Sequence, residues 1–308
     1  MRYNKNVQML FAHKGEKTML YTLKNSQLTV TVSDVGAELH SVKGGDCEYI
    51  WVGNPDVWPF KAPLVFPVCG RFFEGKYTYR GKTYDINCHG FIRPSVFSVA
   101  EQTETAICLR LNASEETKKV YPFDFELDVW YILEGNCLTN RFVMKNPGND
   151  VLPITVGAHP GFNVPLDGKG EFTDYYLEFA NACSPDQIHC TERCLRDGKR
   201  YAFPLENGKR LSLRHDLFDN DAIFLARADS TVTLKSDKSE RSVTLTYPDM
   251  PYVGIWHKPK LEAPYVCVEP WCGLPGFDDT IEDMETRSDM FRIQPSEEKS
   301  VEFSMTFA

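Results

Sequence analysis

Along much of this chain apolar residues recur at every second position, the period of an extended strand whose side chains point alternately to two faces. The alternation, or a β-branched and aromatic run equivalent to it, marks residues 27–32, 125–130, 141–144, 231–234, 242–246 and 300–305 as strands. Gly, Pro, Asn and Asp punctuate the stretches between them. Helical signals are nearly absent. Ser114 followed by Glu115, Glu116, Thr117 and Lys118 can open one short turn, which must stop before Pro122. Many short strands in series, without helices between them, exclude a parallel α/β sheet and leave an all-β fold, a large antiparallel sandwich.

No repeat, low-complexity tract or linker divides the chain. The turn residues at 146–150 are followed at once by strand-like sequence, so they read as a hairpin connection. One domain over residues 19–308 is the economical organisation, with residues 1–18 as an N-terminal extension of open status. The apolar stretch at 7–12 is broken by Gln8 and ended by His13 and Lys14, too short for a signal core and far short of a membrane span.

Composition narrows the function classes. The chain has 308 residues, and a net charge of -9 without a basic stretch argues against a nucleic-acid partner. Ten scattered cysteines with no secretory segment before them read as reduced thiols and a cytoplasmic location. His189, Cys190 and Cys194 form the one local cluster with ligand chemistry, but zinc sites usually pair closer cysteine spacings in two sets, so no metal is expected.

Three segments offer one ionisable side chain each between structure-setting neighbours: Cys88-His89-Gly90-Phe91, Gly157-Ala158-His159-Pro160-Gly161-Phe162 and Val266-Cys267-Val268-Glu269-Pro270-Trp271. Histidine exchanges protons near neutral pH, and a glutamate in a partly apolar pocket can be tuned to remove one. Two imidazoles and a carboxylate are the parts of an acid/base site, although a lone histidine is more often a satisfied structural residue.

With Cys69-Gly70-Arg71, Gly75-Lys76-Tyr77-Thr78-Tyr79 and Gly81-Lys82-Thr83-Tyr84 ahead of them, these segments resemble in order and spacing the aldose 1-epimerase (galactose mutarotase) superfamily, and within it the LacX-like branch. The similarity runs from about Met19 to the C-terminus. The resemblance implies a β-supersandwich and a cofactor-independent isomerase that interconverts the α and β anomers of a free hexose by opening its ring. Glu269 would take the proton of the C1 hydroxyl and His159 would protonate the ring oxygen, the two lying on opposite sides of the hemiacetal across a pyranose-sized gap. His89 would hydrogen-bond near the ring oxygen.

Arg71 matches the family's sugar-binding arginine, whose fork of donors suits paired hydroxyls, with a surface ion pair as its plain alternative. Asp221 falls where the family places an aspartate that accepts from substrate hydroxyls. Its surroundings, Asn220-Asp221-Ala222-Ile223-Phe224, depart from the usual pattern, and Asp219 competes for the role. Trp256 or Trp271 would offer an aromatic face to a pyranose. The expected partner is a small sugar, with no nucleic acid and no membrane, bound by a monomer or weak homodimer.

Two other readings remain. A hexose-phosphate mutarotase would need more cations, and Arg93, His257 and Lys258 can supply them. A non-catalytic carbohydrate-binding or sensor protein could share the fold, but such a binder has no need of an acid and a base. A glycoside hydrolase calls for a pair of carboxylates, and Glu269 has no convincing partner.

Overall fold

Where the alternation is cleanest, the strands form the centre of a nine-stranded sheet. The computed structural model describes residues 18–308, so an extension at 1–18 lies outside the described residues apart from Thr18. The sheet runs, edge to edge, through Arg210–Ser212, Tyr175–Phe179, Thr231–Ser236, Val243–Thr246, Glu298–Phe307, Cys137–Lys145, Glu126–Glu134, Ala106–Asn112 and Ser98–Gln102. All its ladders are antiparallel, with Trp130 opposite Arg141 and Phe142 opposite Val301. Five of the six expected strands lie here, and the sixth is Thr29–Ser33 in a four-stranded N-terminal sheet.

A second sheet carries the candidate chemistry. Its order is Arg196–Ala202, Asp186–Cys190, Ile223–Ala226, Tyr252–Trp256, Tyr265–Trp271, Gly157–Ala158 and Leu64–Val65, and Gly161–Asn163 also pairs with Tyr265–Trp271. Leu127, Val129, Phe142, Val301 and Phe303 of the first sheet share one buried cluster with Val253, Ile255, Val266 and Val268 of the second. Burying these branched and aromatic faces together is the main favourable term for such a fold. The architecture is the all-β antiparallel sandwich that the period-two pattern implies.

The one α-helix among the described residues spans Glu115–Val120 and begins where Ser114 marks it. The Ser114 hydroxyl accepts from the Thr117 amide at 3.2 Å, and the Thr117 hydroxyl accepts from the Ser114 amide at 2.8 Å, a reciprocal cap. Residues 146–150, in contrast, do not form a hairpin connection. Cys137–Lys145 pairs with Glu126–Glu134 and Glu298–Phe307, whereas Leu152–Ile154 leaves that sheet and pairs with Phe291–Ile293. The turn residues end one strand correctly, but long-range pairing decides where the next one goes.

All ten cysteines are free thiols. No helix among the described residues is long and apolar enough to cross a membrane.

Candidate active site

Strand Tyr265–Trp271 is buried along its whole length, so its two faces meet two different interiors. Val266 and Val268 point into the main core, while Cys267 and Trp271 lie in smaller clusters on the other side. By the same parity Glu269 falls on that second face, away from the core. Its neighbour across the ladder is Gly254, where a Cβ would stand 3.3 Å from the Glu269 Cβ and 3.3 Å from the Phe224 ring. A larger residue at 254 would therefore crowd the carboxylate's stem.

His159 sits in the bend between Gly157–Ala158 and Gly161–Asn163, both of which pair with Tyr265–Trp271. Its amide donates to the Pro63 carbonyl at 2.9 Å. The imidazole stacks on Trp58, with centroids 5.1 Å apart, and meets the edge of Trp256 at 5.4 Å. This places His159 Nε2 3.3 Å from Glu269 Oε1, with side-chain exposures of only 8% and 1%. The contact is not aligned as a hydrogen bond, and both Glu269 Oε1 and His159 Nδ1 are buried with no hydrogen-bond partner among the described residues. Buried polar atoms are nearly always satisfied, so two orphans in one pair suggest groups held ready for a third molecule.

His89 approaches from a tight turn in which it and Gly90 both take positive φ, 64° and 71°. A Cβ at Gly90 would lie 2.1 Å from the Phe66 carbonyl oxygen, so the turn requires glycine. The Gly70 amide donates to His89 Nδ1 at 3.2 Å, which leaves Nε2–H as the donor of the neutral ring. The His89 ring stands 5.7 Å from that of His159 and 5.2 Å from Trp271.

Burial sets the electrostatics. It pushes the Glu269 carboxyl well above its ordinary value, the nearby Arg93 charge opposing this and Asp221 adding to it. Burial likewise pulls His159 and His89 well below the ordinary imidazole value, with Arg93 acting in the same direction. The empty pair thus favours the neutral forms, one carboxylic acid and one free imidazole.

One cleft gathers the six residues expected at the catalytic and sugar-binding site. Arg71, His89, His159, Asp221, Trp256 and Glu269 all line it, as does Trp271. The cleft is open, with an empty volume of about 580 Å³ including its mouth. Asp221 is the aspartate on this wall, whereas Asp219 lines a neighbouring groove. Of the three extra cations only Arg93 reaches the cleft. His257 is packed away against His215 at 3.1 Å, and Lys258 Nζ donates to the Asp56 carbonyl at 3.0 Å.

One expectation needs restatement. His159 and Glu269 touch, so no pyranose fits between them, and opposite sides of the hemiacetal is the wrong geometry. The two oxygens on one anomeric carbon are closer together than 3.3 Å, so a sugar can present both to the pair from above. His189, Cys190 and Cys194 do not converge as ligands, since His189 Nδ1 is 2.9 Å from Asp197 Oδ2 and the Cys194 thiol bonds to Asp221. Among the described residues, the one set of three potential ligand atoms within 4.8 Å of one another is His159, Cys267 and Glu269, which includes the acid/base pair itself. Trp58, Cys88 and Cys194 also line the cleft; the sequence offered Cys194 only as a possible metal ligand and gave Trp58 and Cys88 no role.

Comparisons with known proteins establish the family. The aldose 1-epimerase family pattern matches residues 19–288, most of the chain. The chain belongs to the aldose 1-epimerase family. LacX of Lactococcus lactis subsp. lactis, in both plasmid and chromosomal forms, is 32% identical over 298 residues, covering 94% of this chain and 99% of the relative. This supports placement in the LacX-like branch of the aldose 1-epimerase superfamily. A galactose mutarotase related enzyme from Lactobacillus acidophilus superimposes with a TM-score of 0.90 at 37% identity, covering 94% of this chain and 97% of that one. A galactose mutarotase-like protein from Lactobacillus casei gives 0.88 at 30% identity, covering 94% and 100%. Membership of the aldose 1-epimerase family makes the protein a sugar epimerase or mutarotase, an enzyme of the isomerase class.

Proposed function

We propose that this aldose 1-epimerase family member interconverts the α and β anomers of a free hexose without a cofactor. The observation that carries the reading is the buried contact of His159 Nε2 with Glu269 Oε1 at 3.3 Å, in a cleft where neither Glu269 Oε1 nor His159 Nδ1 has a hydrogen-bond partner among the described residues. Such a pair can hold one proton between two sites. With a closed sugar bound, the carboxylate removes the C1 hydroxyl proton while the imidazolium protonates the ring oxygen. The ring bond breaks, the aldehyde turns about C1–C2, and closure on the other face returns both protons. The neutral pair favoured in the empty cleft differs from this ionised pair by one proton moved between the two residues. Sugar hydroxyls donating to the carboxylate shift it toward the ionised form. His89 Nε2–H steadies the ring oxygen or a neighbouring hydroxyl, and Arg71, Asp221 and Trp256 hold the rest of the sugar.

A hexose phosphate is the second reading, favoured by the presence of Arg93 beside Arg71 in the same cleft. Polarimetry on freshly dissolved α-D-glucose, α-D-galactose and their 6-phosphates separates the possibilities. Acceleration of a free sugar over buffer is expected. Acceleration of the phosphates alone would select the second reading, and no acceleration at all would leave a carbohydrate-binding protein.

A further inference from the structure

The cleft that holds the acid/base pair is also lined by a hydrogen bond that the reaction does not itself require. Cys194 follows strand Asp186–Cys190 in a tight turn, closed by Thr191 N–H donating to the Leu195 carbonyl and Cys194 N–H to the Thr191 carbonyl, both at 2.8 Å. Leu195, which is buried, anchors the turn. Cys194 takes a φ of 57°, and its Sγ is brought to 2.6 Å from Asp221 Oδ2. At that separation the thiol proton must lie between sulfur and oxygen. The other carboxylate oxygen, Oδ1, accepts from the Ala222 amide at 3.0 Å, with Asp221 itself at a φ of 76°. Each oxygen is thus fixed by one donor from within the protein, and its remaining lone pairs are left for the cleft.

We propose that Cys194 is a positioning residue for sugar recognition: its thiol proton sets the orientation in which Asp221 accepts substrate hydroxyls, so affinity depends on Cys194 while proton transfer does not. The inference rests on the anomerase reading above. It deepens that reading by making a reduced thiol part of the hydroxyl-binding wall. Burial, reinforced by the Asp221 charge, holds the thiol well above its ordinary value, consistent with a donor that stays protonated.

Steady-state anomerisation kinetics of Cys194→Ala and Cys194→Ser give the first test. The alanine variant is expected to raise KM about tenfold, the scale of one hydrogen bond to a charged group, with kcat within about twofold of the parent. The serine variant, whose hydroxyl can donate in the same place, is expected to recover most of that loss. An unchanged KM in Cys194→Ala, a fall in kcat alone, or no recovery in Cys194→Ser would overturn the proposal.

A second readout uses no sugar. Iodoacetamide labelling of Cys194, followed by peptide mass spectrometry at mildly alkaline pH, is expected to run faster in Asp221→Asn than in the parent, because the carboxylate that restrains the thiol is gone. Equal labelling rates would overturn the thiol–carboxylate link. If the parent protein accelerates no sugar, the anomerase reading fails by itself, and the labelling result still scores the link.

Discussion

Two buried carboxylates, Asp128 and Glu269, sit in the two sheets and have opposite fates. Asp128 lies in Glu126–Glu134 directly across the ladder from Arg110, which grips it with two bonds of 2.6 and 2.7 Å, and Lys145 Nζ adds a third at 3.2 Å. Burial alone would raise its pKa, but the bonds from Arg110 and Lys145 outweigh that and hold the carboxyl below its ordinary value. Glu269 is more deeply buried, at 1% against 6% exposure, and its Oε1 has no hydrogen-bond partner among the described residues, so burial wins and the carboxyl is pushed up. Burial of charge is therefore a poor guide to function. Unspent hydrogen-bonding capacity is the better one, because a purely structural site gains nothing by leaving it unspent.

The largest expected effect that separates the two sites is on turnover. Replacing His159 by Asn should lower kcat by about 10²–10⁴-fold, the usual contribution of a general acid or base. Polarimetry on protein shown by circular dichroism to be folded checks this, and a loss below about tenfold would remove His159 from proton transfer.

Stability should reverse the order. Asp128→Asn is expected to cost about 1–3 kcal/mol in urea unfolding, the penalty for cations left without their charged partner, with the anomerisation rate unchanged. Glu269→Gln should cost nothing near neutral pH. The raised Glu269 carboxyl keeps its proton in the folded state at pH values where the unfolded chain, near 4.5, has lost it. The folded state then binds more protons, and this contribution to stability is lost as pH rises from about 4.5 through the raised value. The glutamine variant escapes that loss, so its advantage should grow with pH. Equal destabilisation by the two substitutions would break the comparison.

A smaller effect concerns the pH profile. Arg93 lowers both Glu269 and His159, so Arg93→Met should move both limbs of a bell-shaped kcat/KM profile to higher pH, while Arg93→Lys should largely keep the parental limbs. Limbs that stay in place in Arg93→Met would show that the Arg93 charge does not reach the pair.

Much of this was legible before any coordinates. Strands such as Thr231–Ser236 and Glu298–Phe307 announce themselves because each buries one face and wets the other, and the six site residues came from motifs whose order resembles a known family. The errors have physical causes. The turn residues at 146–150 signal that a strand ends, but Cys137–Lys145, already paired with Glu126–Glu134, takes its second partner from Glu298–Phe307, near the far end of the chain. His257 looked like a candidate cation, yet it follows Trp256 by one position, and the alternation that turns Trp256 into the cleft turns its neighbour away. Cys194 stood out only as a possible metal ligand, because its role depends on Asp221, 27 residues distant, across a turn whose geometry no local pattern specifies. The close contact of His159 with Glu269 was equally hidden, since motifs name residues without giving separations.

The central claim is that Glu269 exchanges a proton with the anomeric hydroxyl. The most direct measurement is the initial rate of anomerisation by the parent protein and Glu269→Gln, side by side on the sugar the parent turns over fastest. The account expects the glutamine variant to remain folded, still bind the sugar in calorimetry, and turn it over at least about a hundredfold more slowly. A folded Glu269→Gln protein working at the parental rate would contradict it.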